Sequence, residues 1–528
     1  MQSKSSETSR VTTANHSSPS ALPSTEIREF CGNCHACPDP SSFPKARWYE
    51  EVRRGFAFYQ ESGRSDLRLP AVADVVAWYH HHAPERLPVP DQTPADSNPL
   101  KFTTTDLRVA SDVLAGPPCV SFVDLRPGSS QQTVDLWVSE MKHGAVFQLA
   151  DLRQSAGQTI ADGTLRYSFQ SSATNPAVVR PVDLDGNGVD DLLITDLGSF
   201  LPEDHDRGQV VWIPDAVSDH PQPPRALLTG LGRVADVQTG DFNGDGRLDV
   251  VVAVFGWHKT GGLILLTNPG ERDGVLQFEH QVLEDHSGAI HVIPEDLDRD
   301  GRLDLVVLFG QQFEQVTAYF NRPEQFEKRI LYEAPDPSWG SSGLSLCDID
   351  GDGDTDFLYT NGDSFDSQLI KPYHGIWVLE NQGSAEFSAR RITALPGVHR
   401  AIAADLDLDG DLDIAAAAML PASAVADRPP ESLQAVIWLE QTGPGQFARH
   451  VIEYGVPRYA AMTIGDVNGD LRPDIIVGVF QPESNSDANV ARIYWNQARE
   501  SINAAAESSD REHSADLPRH TTVSLSLH

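Results

Sequence analysis

A nine-residue acidic loop recurs along this chain and constrains the fold more than any other feature. Its fullest copy, Asp348-Ile349-Asp350-Gly351-Asp352-Gly353-Asp354-Thr355-Asp356, carries carboxylates at positions 1, 3, 5 and 9. Those are hard oxygen ligands of the kind Ca2+ prefers, with a backbone carbonyl expected at position 7 and a glycine at position 6 for the turn. The other copies begin at Asp183, Asp241, Asp296, Asp405 and Asp466, so successive copies lie 52 to 61 residues apart. A period of that order marks a repeat architecture.

The expected ligand sets are Asp183, Asp185, Asn187 and Asp191; Asp241, Asn243, Asp245 and Asp249; Asp296, Asp298, Asp300 and Asp304; Asp348, Asp350, Asp352 and Asp356; Asp405, Asp407, Asp409 and Asp413; and Asp466, Asn468, Asp470 and Asp474. The last loop has Leu471 where the others have glycine, which predicts a distorted turn and weak or no binding there. An EF-hand would need flanking helices and a glutamate at position 12. Position 12 is instead Ile194 or Val252, inside runs such as Asp249-Val-Val-Val-Ala-Val-Phe255 that read as buried strands, so the loop joins two strands.

Around each loop the same order repeats: an apolar strand, the loop, a second strand, a variable stretch, a third strand with an aromatic such as Trp212, Trp377, Trp438 or Trp495, and a fourth strand such as the one at Phe326. Four strands per unit is a propeller blade. A seventh unit without a cage lies upstream, where Asp124 precedes Arg126-Pro127-Gly128. The segment 101–107 resembles a fourth strand, whereas the last unit stops after its third at Asn496. The first strand is therefore expected to complete the last blade and close the ring. Cys119 and Cys347 are placed in the first and fourth blades, too far apart to pair, and are read as buried thiols.

Residues 1–26 are polar and read as a disordered segment without the apolar core of a secretion signal. Cys31-Gly32-Asn33-Cys34-His35 then matches the c-type haem attachment pattern, with thioethers at Cys31 and Cys34 and His35 as proximal ligand. Two helical stripes follow, Trp48-Val52-Phe56-Tyr59 and Val72-Val75-Val76-Tyr79, so residues 27–86 are expected to form a small helical haem domain. No methionine lies between Met1 and Met141, which leaves His82 as the candidate sixth ligand. The rival chemistry is zinc held by Cys31, Cys34, Cys37 and His35. Residues 87–100 read as a proline-rich linker, 101–497 as the propeller and 498–528 as a disordered tail.

The formal net charge of -36 argues against nucleic acid as a partner, and no apolar run is long enough to span a bilayer. Much of the acidity sits in the six loops.

The six loops, with Phe255-Gly256, Phe309-Gly310 and the Trp438-Leu439-Glu440 strand, give residues 101–497 a resemblance to the FG-GAP/VCBS repeat family. The resemblance implies a mainly β, integrin-alpha-like, seven-bladed β-propeller with calcium in its hairpin loops. The stretch before it looks like the small c-type cytochrome module carried by some bacterial members of that family. The departures are the missing axial methionine, the cage lost from the first blade, and Leu471.

The expected function is an exported, calcium-binding propeller that binds a protein or glycan ligand and is coupled to a haem c module passing single electrons to a redox partner. The candidate ligand face is Asn361, Asp363, Asp366, Lys371, Tyr373 and His374, a dense polar and aromatic loop set; its other reading is that it holds the helical domain in place. A haem-linked dehydrogenase or sugar-active enzyme with substrate near Asp363, Lys371 and His374, and an adhesion or scaffold protein with a structural cysteine cluster, are the alternatives. No nucleophile-base pair, phosphate loop or dinucleotide fingerprint supports an enzyme. Covalent haem and millimolar calcium would place such a chain outside the cytoplasm, periplasmic or secreted; the alternative is a cytosolic protein whose haem motif is unoccupied.

Overall fold

The alternation of short apolar strands with tight acidic turns closes into seven four-stranded antiparallel sheets. The computed structural model describes residues 24–497, apart from 96, 110–113, 115, 129, 131–132, 153–163, 171–172, 219, 273–274 and 483–488. The expected disordered tail, 498–528, and most of the expected N-terminal segment lie outside the described residues.

Blades 1 to 7 begin with the inner strands Val120–Pro127, Pro176–Val182, Val234–Gly240, Ala289–Glu295, Gly343–Cys347, Val398–Ala404 and Tyr459–Gly465. In the first six blades the strand order within the sheet follows the chain. In blade 7 the outermost strand is Lys101–Arg108, paired antiparallel with Asn489–Gln497 from Lys101 opposite Gln497 to Arg108 opposite Asn489. The ring is thus closed by the two ends of the repeat region, as the strand count requires. Closure gives blade 7 its fourth strand and leaves only the short inner edges around the axis and the outer edges of the blades.

Seven apolar clusters fill the gaps between successive blades. The one that joins the last blade to the first contains Val120, Leu136, Phe147, Ile476, Ile493 and Trp495. Second strands such as Asp249–Val254 and Asp304–Phe309 are buried on both faces, which is why they read as continuous apolar runs rather than alternating ones. Cys347 ends the inner strand of blade 5, not of blade 4, while Cys119 bridges Phe480 of blade 7; both are free thiols.

Blades 4 and 5 are joined by a buried carboxylate. Glu314 accepts the backbone N–H of Gly340 at 3.2 Å and of Ser341 at 2.8 Å, and burial pushes it from its ordinary 4.5 up to about 8. A folded-state value above the unfolded one means stability that is full below pH 4.5 and is lost as pH rises through 8. Glu314→Gln is therefore expected to flatten this part of the stability profile, and at pH 9 to exceed wild type by on the order of 3 kcal/mol. Urea unfolding of both proteins between pH 5 and 9 measures it.

Ahead of the ring, α1 (Ser24–Cys31), α2 (Trp48–Glu61) and α3 (Val72–His82) form a small unit. Trp48, Val52, Phe56 and Tyr59 of α2 face Val75, Trp78 and Tyr79 of α3, close to the two stripes expected. The expected boundary at residue 27 is too late, because α1 starts at Ser24 and buries Ile27 completely. The linker is not free. Ala95 donates to the Arg449 carbonyl at 2.7 Å, Gln434 to the Gln92 carbonyl at 2.9 Å, and Trp438 to Asn98 at 3.0 Å, so the strap is pinned to blade 6.

Candidate metal centres and the docked helical unit

All six acidic loops adopt one backbone turn. The position-6 N–H donates to the position-1 carboxylate in every copy, from 2.8 Å for Gly188 to Asp183 to 3.1 Å for Gly410 to Asp405. That residue is left-handed in each, with φ of 88° at Gly188, 82° at Gly246 and 101° at Gly410. Leu471 takes the same conformation, φ 67°, and donates to Asp466 at 2.8 Å, so the distorted turn expected in the last loop is absent. What leucine costs there is strain, since its side chain is 81% exposed and packs on nothing that would repay it. Leu471→Gly is expected to raise stability by about 1 kcal/mol, measured by denaturant unfolding.

The loops differ in charge. Carboxylate oxygens converge within 4.8 Å of one another for Asp296, Asp298 and Asp300, for Asp348, Asp350 and Asp356, and for Asp405, Asp407 and Asp413. These are the three loops with aspartate at positions 1, 3, 5 and 9; the other three carry one asparagine each, Asn187, Asn243 or Asn468. In blade 4 the Arg322 guanidinium already reaches Asp298 at 2.7 Å and Asp300 at 3.1 Å. A hard divalent cation fits the donor set of all three clusters, and blades 5 and 6 present it without a competing arginine among the hydrogen bonds of their ligand carboxylates. Ions there would clamp the first two strands of a blade together.

Position 9 has a second role that sequence did not separate from ligation. Asp191, Asp249, Asp304, Asp356, Asp413 and Asp474 are at most 1% exposed. Each accepts the N–H of loop position 2 on one oxygen, as Leu297 to Asp304 at 3.1 Å. Each accepts an N–H at the end of the third strand, or just beyond it, on the other oxygen, as Asn321 to Asp304 at 2.8 Å. The residue therefore staples loop to third strand. Burial, with neighbouring carboxylates adding to it, pushes Asp304 and Asp356 up to about 6 and Asp413 and Asp474 up to about 7. Such a buried, like-charged cluster is what a bound cation would relieve.

The helical unit sits on the loops opposite the acidic turns. Asp336, 2% exposed, accepts the Asp39 N–H at 2.7 Å and the Ser42 hydroxyl. Lys371 donates to the Ser42 carbonyl at 2.6 Å and lies 3.4 Å from the centre of the Phe43 ring. Arg47 reaches the Ser367 carbonyl at 3.3 Å, Leu369 packs into the helical core, and Phe58 meets His258 at 4.6 Å. Burial pulls Lys371 down to about 7, while Asp336, the Ser42 carbonyl and the Phe43 face favour its charged form.

Of the candidate ligand face, only Asp366 stays exposed. Lys371 is engaged as described. Tyr373 stacks on Trp339 at 4.4 Å and donates to the Ser338 carbonyl at 2.9 Å. Asn361 is fully buried, accepting from Gly375 at 2.9 Å and Trp377 at 3.0 Å. His374 is fully buried and burial holds it well below its ordinary value. Half-buried Asp363 is pushed up to about 6 by burial, then by Asp366. This loop is a docking seat for the helices; its signal in sequence was its density of polar and aromatic groups, which partner binding and domain docking share.

The haem motif is arranged less favourably than the cages. Cys31, Cys34 and Cys37 are free thiols, so the donors suit thioether chemistry in kind. Cys31, however, is half-buried and pushed up to about 12 by desolvation, and Cys37 lies 3.8 Å from the Tyr79 hydroxyl. Cys34 is at the surface, held by Arg64 at 2.9 Å, and the His35 Nδ1 meets the Ala36 carbonyl at 2.8 Å. His82 faces its own helix, Nδ1 on the Trp78 carbonyl at 2.8 Å. Between α2 and α3 the space is filled by Trp48 stacked on Tyr79 at 3.8 Å. As packed here, the unit does not fit a porphyrin. Among the described residues the cysteines and His35 do not converge as a metal group either, which leaves the zinc arrangement unassembled.

Comparison with known proteins agrees with the repeat. Residues 241–307 and 296–359 match the model of the FG-GAP-like repeat. No curated protein matches the sequence. Among solved structures, a chain from S. cerevisiae Dbp5 bound to Nup159 is similar at 12% identity and TM-score 0.42, covering 74% of this chain and 95% of that one. The N-terminal domain of Nup159 is similar at 11% identity and TM-score 0.42, covering 76% and 97%. The Dos1 propeller is similar at 11% identity and TM-score 0.42, covering 71% and 77%. Among the described residues no helix is long and apolar enough to cross a membrane. The chain carries FG-GAP-like repeats and folds as a seven-bladed β-propeller.

Proposed function

We propose that this protein is a calcium-braced binding propeller that works outside the cytoplasm and recognises a protein or glycan partner. The observation that carries the reading is the convergence of carboxylates in three successive blades, 4 to 6, on the face opposite the docked helices. Ions at those corners would fix the hairpins and leave the ring rigid, and rigid loops lose little entropy on binding. FG-GAP-like repeats are typical of extracellular proteins, where calcium is abundant enough to fill such loops. The expected result is fractionation outside the cytoplasm, with glycan or protein binding that chelator abolishes and calcium restores. A cytosolic protein whose binding ignores chelator contradicts the reading.

A second reading, haem c attached at Cys31 and Cys34 with electron transfer to a redox partner, is favoured by the two free thiols next to His35. It requires α2 and α3 to open. Expression with haem-maturation machinery tests it: a covalent haem band supports it, and a colourless protein with both thiols titratable rejects it.

A further inference from the structure

The channel along the ring axis carries chemistry that neither the calcium loops nor the helical unit uses. We propose that it binds a small oxyanion, of the size of sulfate, phosphate or a simple carboxylate, held by Arg400 with help from His291 and Arg180. The channel contains a cavity of about 240 Å³ to which the inner strands of all seven blades contribute. In six blades the inner strand carries a bulge near its start, as at Val234/Asp236, Ala289/His291 and Val398/Arg400. The residue just past the bulge in blades 3, 4 and 6 is charged or titratable, and Asp236, His291 and Arg400 all line the cavity at equivalent heights.

The acid among them is already committed. Asp236 takes Arg180 Nη2 at 3.2 Å and the Val237 N–H at 2.8 Å on one oxygen, and the Val292 N–H at 3.2 Å on the other, with His291 Nδ1 at 3.8 Å. Asp124, the other carboxylate on the wall, is paired with Arg126 at 2.7 Å. Arg180 gives its Nε to the Val237 carbonyl at 3.0 Å. Arg400, by contrast, makes no hydrogen bond to a described residue, and the His291 ring lies beside the Ser342 backbone with its buried Nε2 outside hydrogen-bond geometry. Arg400 is half-buried, and its donors open on the cavity instead of on protein acceptors, so water or an anion in the cavity accepts from them. Two arginines against Asp236 leave this wall positive in a chain whose net charge is -36. A planar guanidinium beside an imidazole matches an oxyanion better than it matches a spherical ion, because two parallel N–H groups reach two oxygens.

Toward the helical side of the channel three aromatic rings approach one another. Phe480 of blade 7 meets Phe200 of blade 2 at 6.5 Å and Phe365 of blade 5 at 5.9 Å. Side chains from those three blades reach one another only near the axis. Apolar rings at that end lower the local polarity, which strengthens an ion-guanidinium contact.

The test uses the full calcium-loaded chain. Crystals soaked in selenate are expected to show an anomalous peak within hydrogen-bond distance of Arg400. Peaks confined to surface lysines and arginines, an adventitious ion only, with water at Arg400, would overturn the proposal. In solution, replacing chloride by sulfate at constant ionic strength is expected to raise the melting temperature of wild type by several degrees more than that of Arg400→Gln. An equal rise in both proteins reflects general salting and also overturns it. Should Arg400→Gln fail to fold, the selenate result on the wild-type chain decides alone.

Discussion

Stripping divalent ions with chelator is expected to lower the melting temperature of the purified chain by about 10 °C, and added calcium to restore it. A site saturated at a hundredfold its dissociation constant stabilises the folded state by about 2.7 kcal/mol, so three sites contribute about 8 kcal/mol. In a propeller of this size each kcal/mol moves the midpoint by about 1 to 2 °C. The physical source is the repulsion that the ions would remove: three clusters of carboxylates whose oxygens lie within 4.8 Å, two of them containing a buried position-9 aspartate. Asp407→Ala, which dismantles the blade 6 cluster and spares the staple made by Asp413, should remove roughly a third of the shift. Differential scanning calorimetry with and without chelator checks both. Blade 4 should contribute least, because Arg322 already neutralises Asp298 and Asp300.

Lys371→Ala is expected to loosen the helical unit on the ring. The substitution removes the contacts to the Ser42 carbonyl and the Phe43 ring and takes away a positive charge that Asp336, 2% exposed, interacts with. Losing a buried hydrogen bond from a charged donor costs about 1.5 to 3 kcal/mol, and the contacts at Asp336, Arg47, Leu369 and Phe58 remain, so the unit is expected to open more often and not to detach outright. The expected signature is faster proteolysis in the 87–100 strap and reduced amide protection in α2 and α3, with the calcium-dependent melt of the ring unchanged. An undiminished protease resistance would show that Lys371 is not what holds the helices and that the contacts at Asp336, Arg47, Leu369 and Phe58 suffice. Asp336→Asn, which keeps a hydrogen-bond acceptor for Ser42, should act in the same direction and more weakly.

The ring was legible because its signals are periodic. Six loops of one spacing, a strand order that repeats with them and a first strand lacking its own sheet leave closure of blade 7 by Lys101–Arg108 as the simple solution. The two helical stripes were legible for the same reason. Features that occur once were not. Asp336, Ser42 and Lys371 come together from opposite ends of the sequence, and nothing local in any of them marks a docking contact. Asp236, His291 and Arg400 occupy the same bulge in different blades, yet their residue types do not repeat, so the charged channel has no periodic trace. Position 9 was legible as an aspartate but not as a staple, because ligation and backbone acceptance ask for the same side chain. At Leu471 the residue type argued for a changed turn, and the neighbouring hydrogen bonds overrode it. The pentapeptide from Cys31 to His35 fits haem as text, whereas the two helices that follow it pack directly on each other through Trp48 stacked on Tyr79.

Calcium stoichiometry is the most direct measurement of whether cations hold the corners of this ring. The purified chain, dialysed against calcium-free buffer and titrated by isothermal calorimetry, is expected to bind at least two ions, in the all-aspartate loops of blades 5 and 6, and a third more weakly in blade 4. Asp350→Ala and Asp407→Ala should each remove one of the tighter two. A chain that binds no calcium at millimolar concentration, or keeps its stoichiometry in both variants, would contradict the assignment.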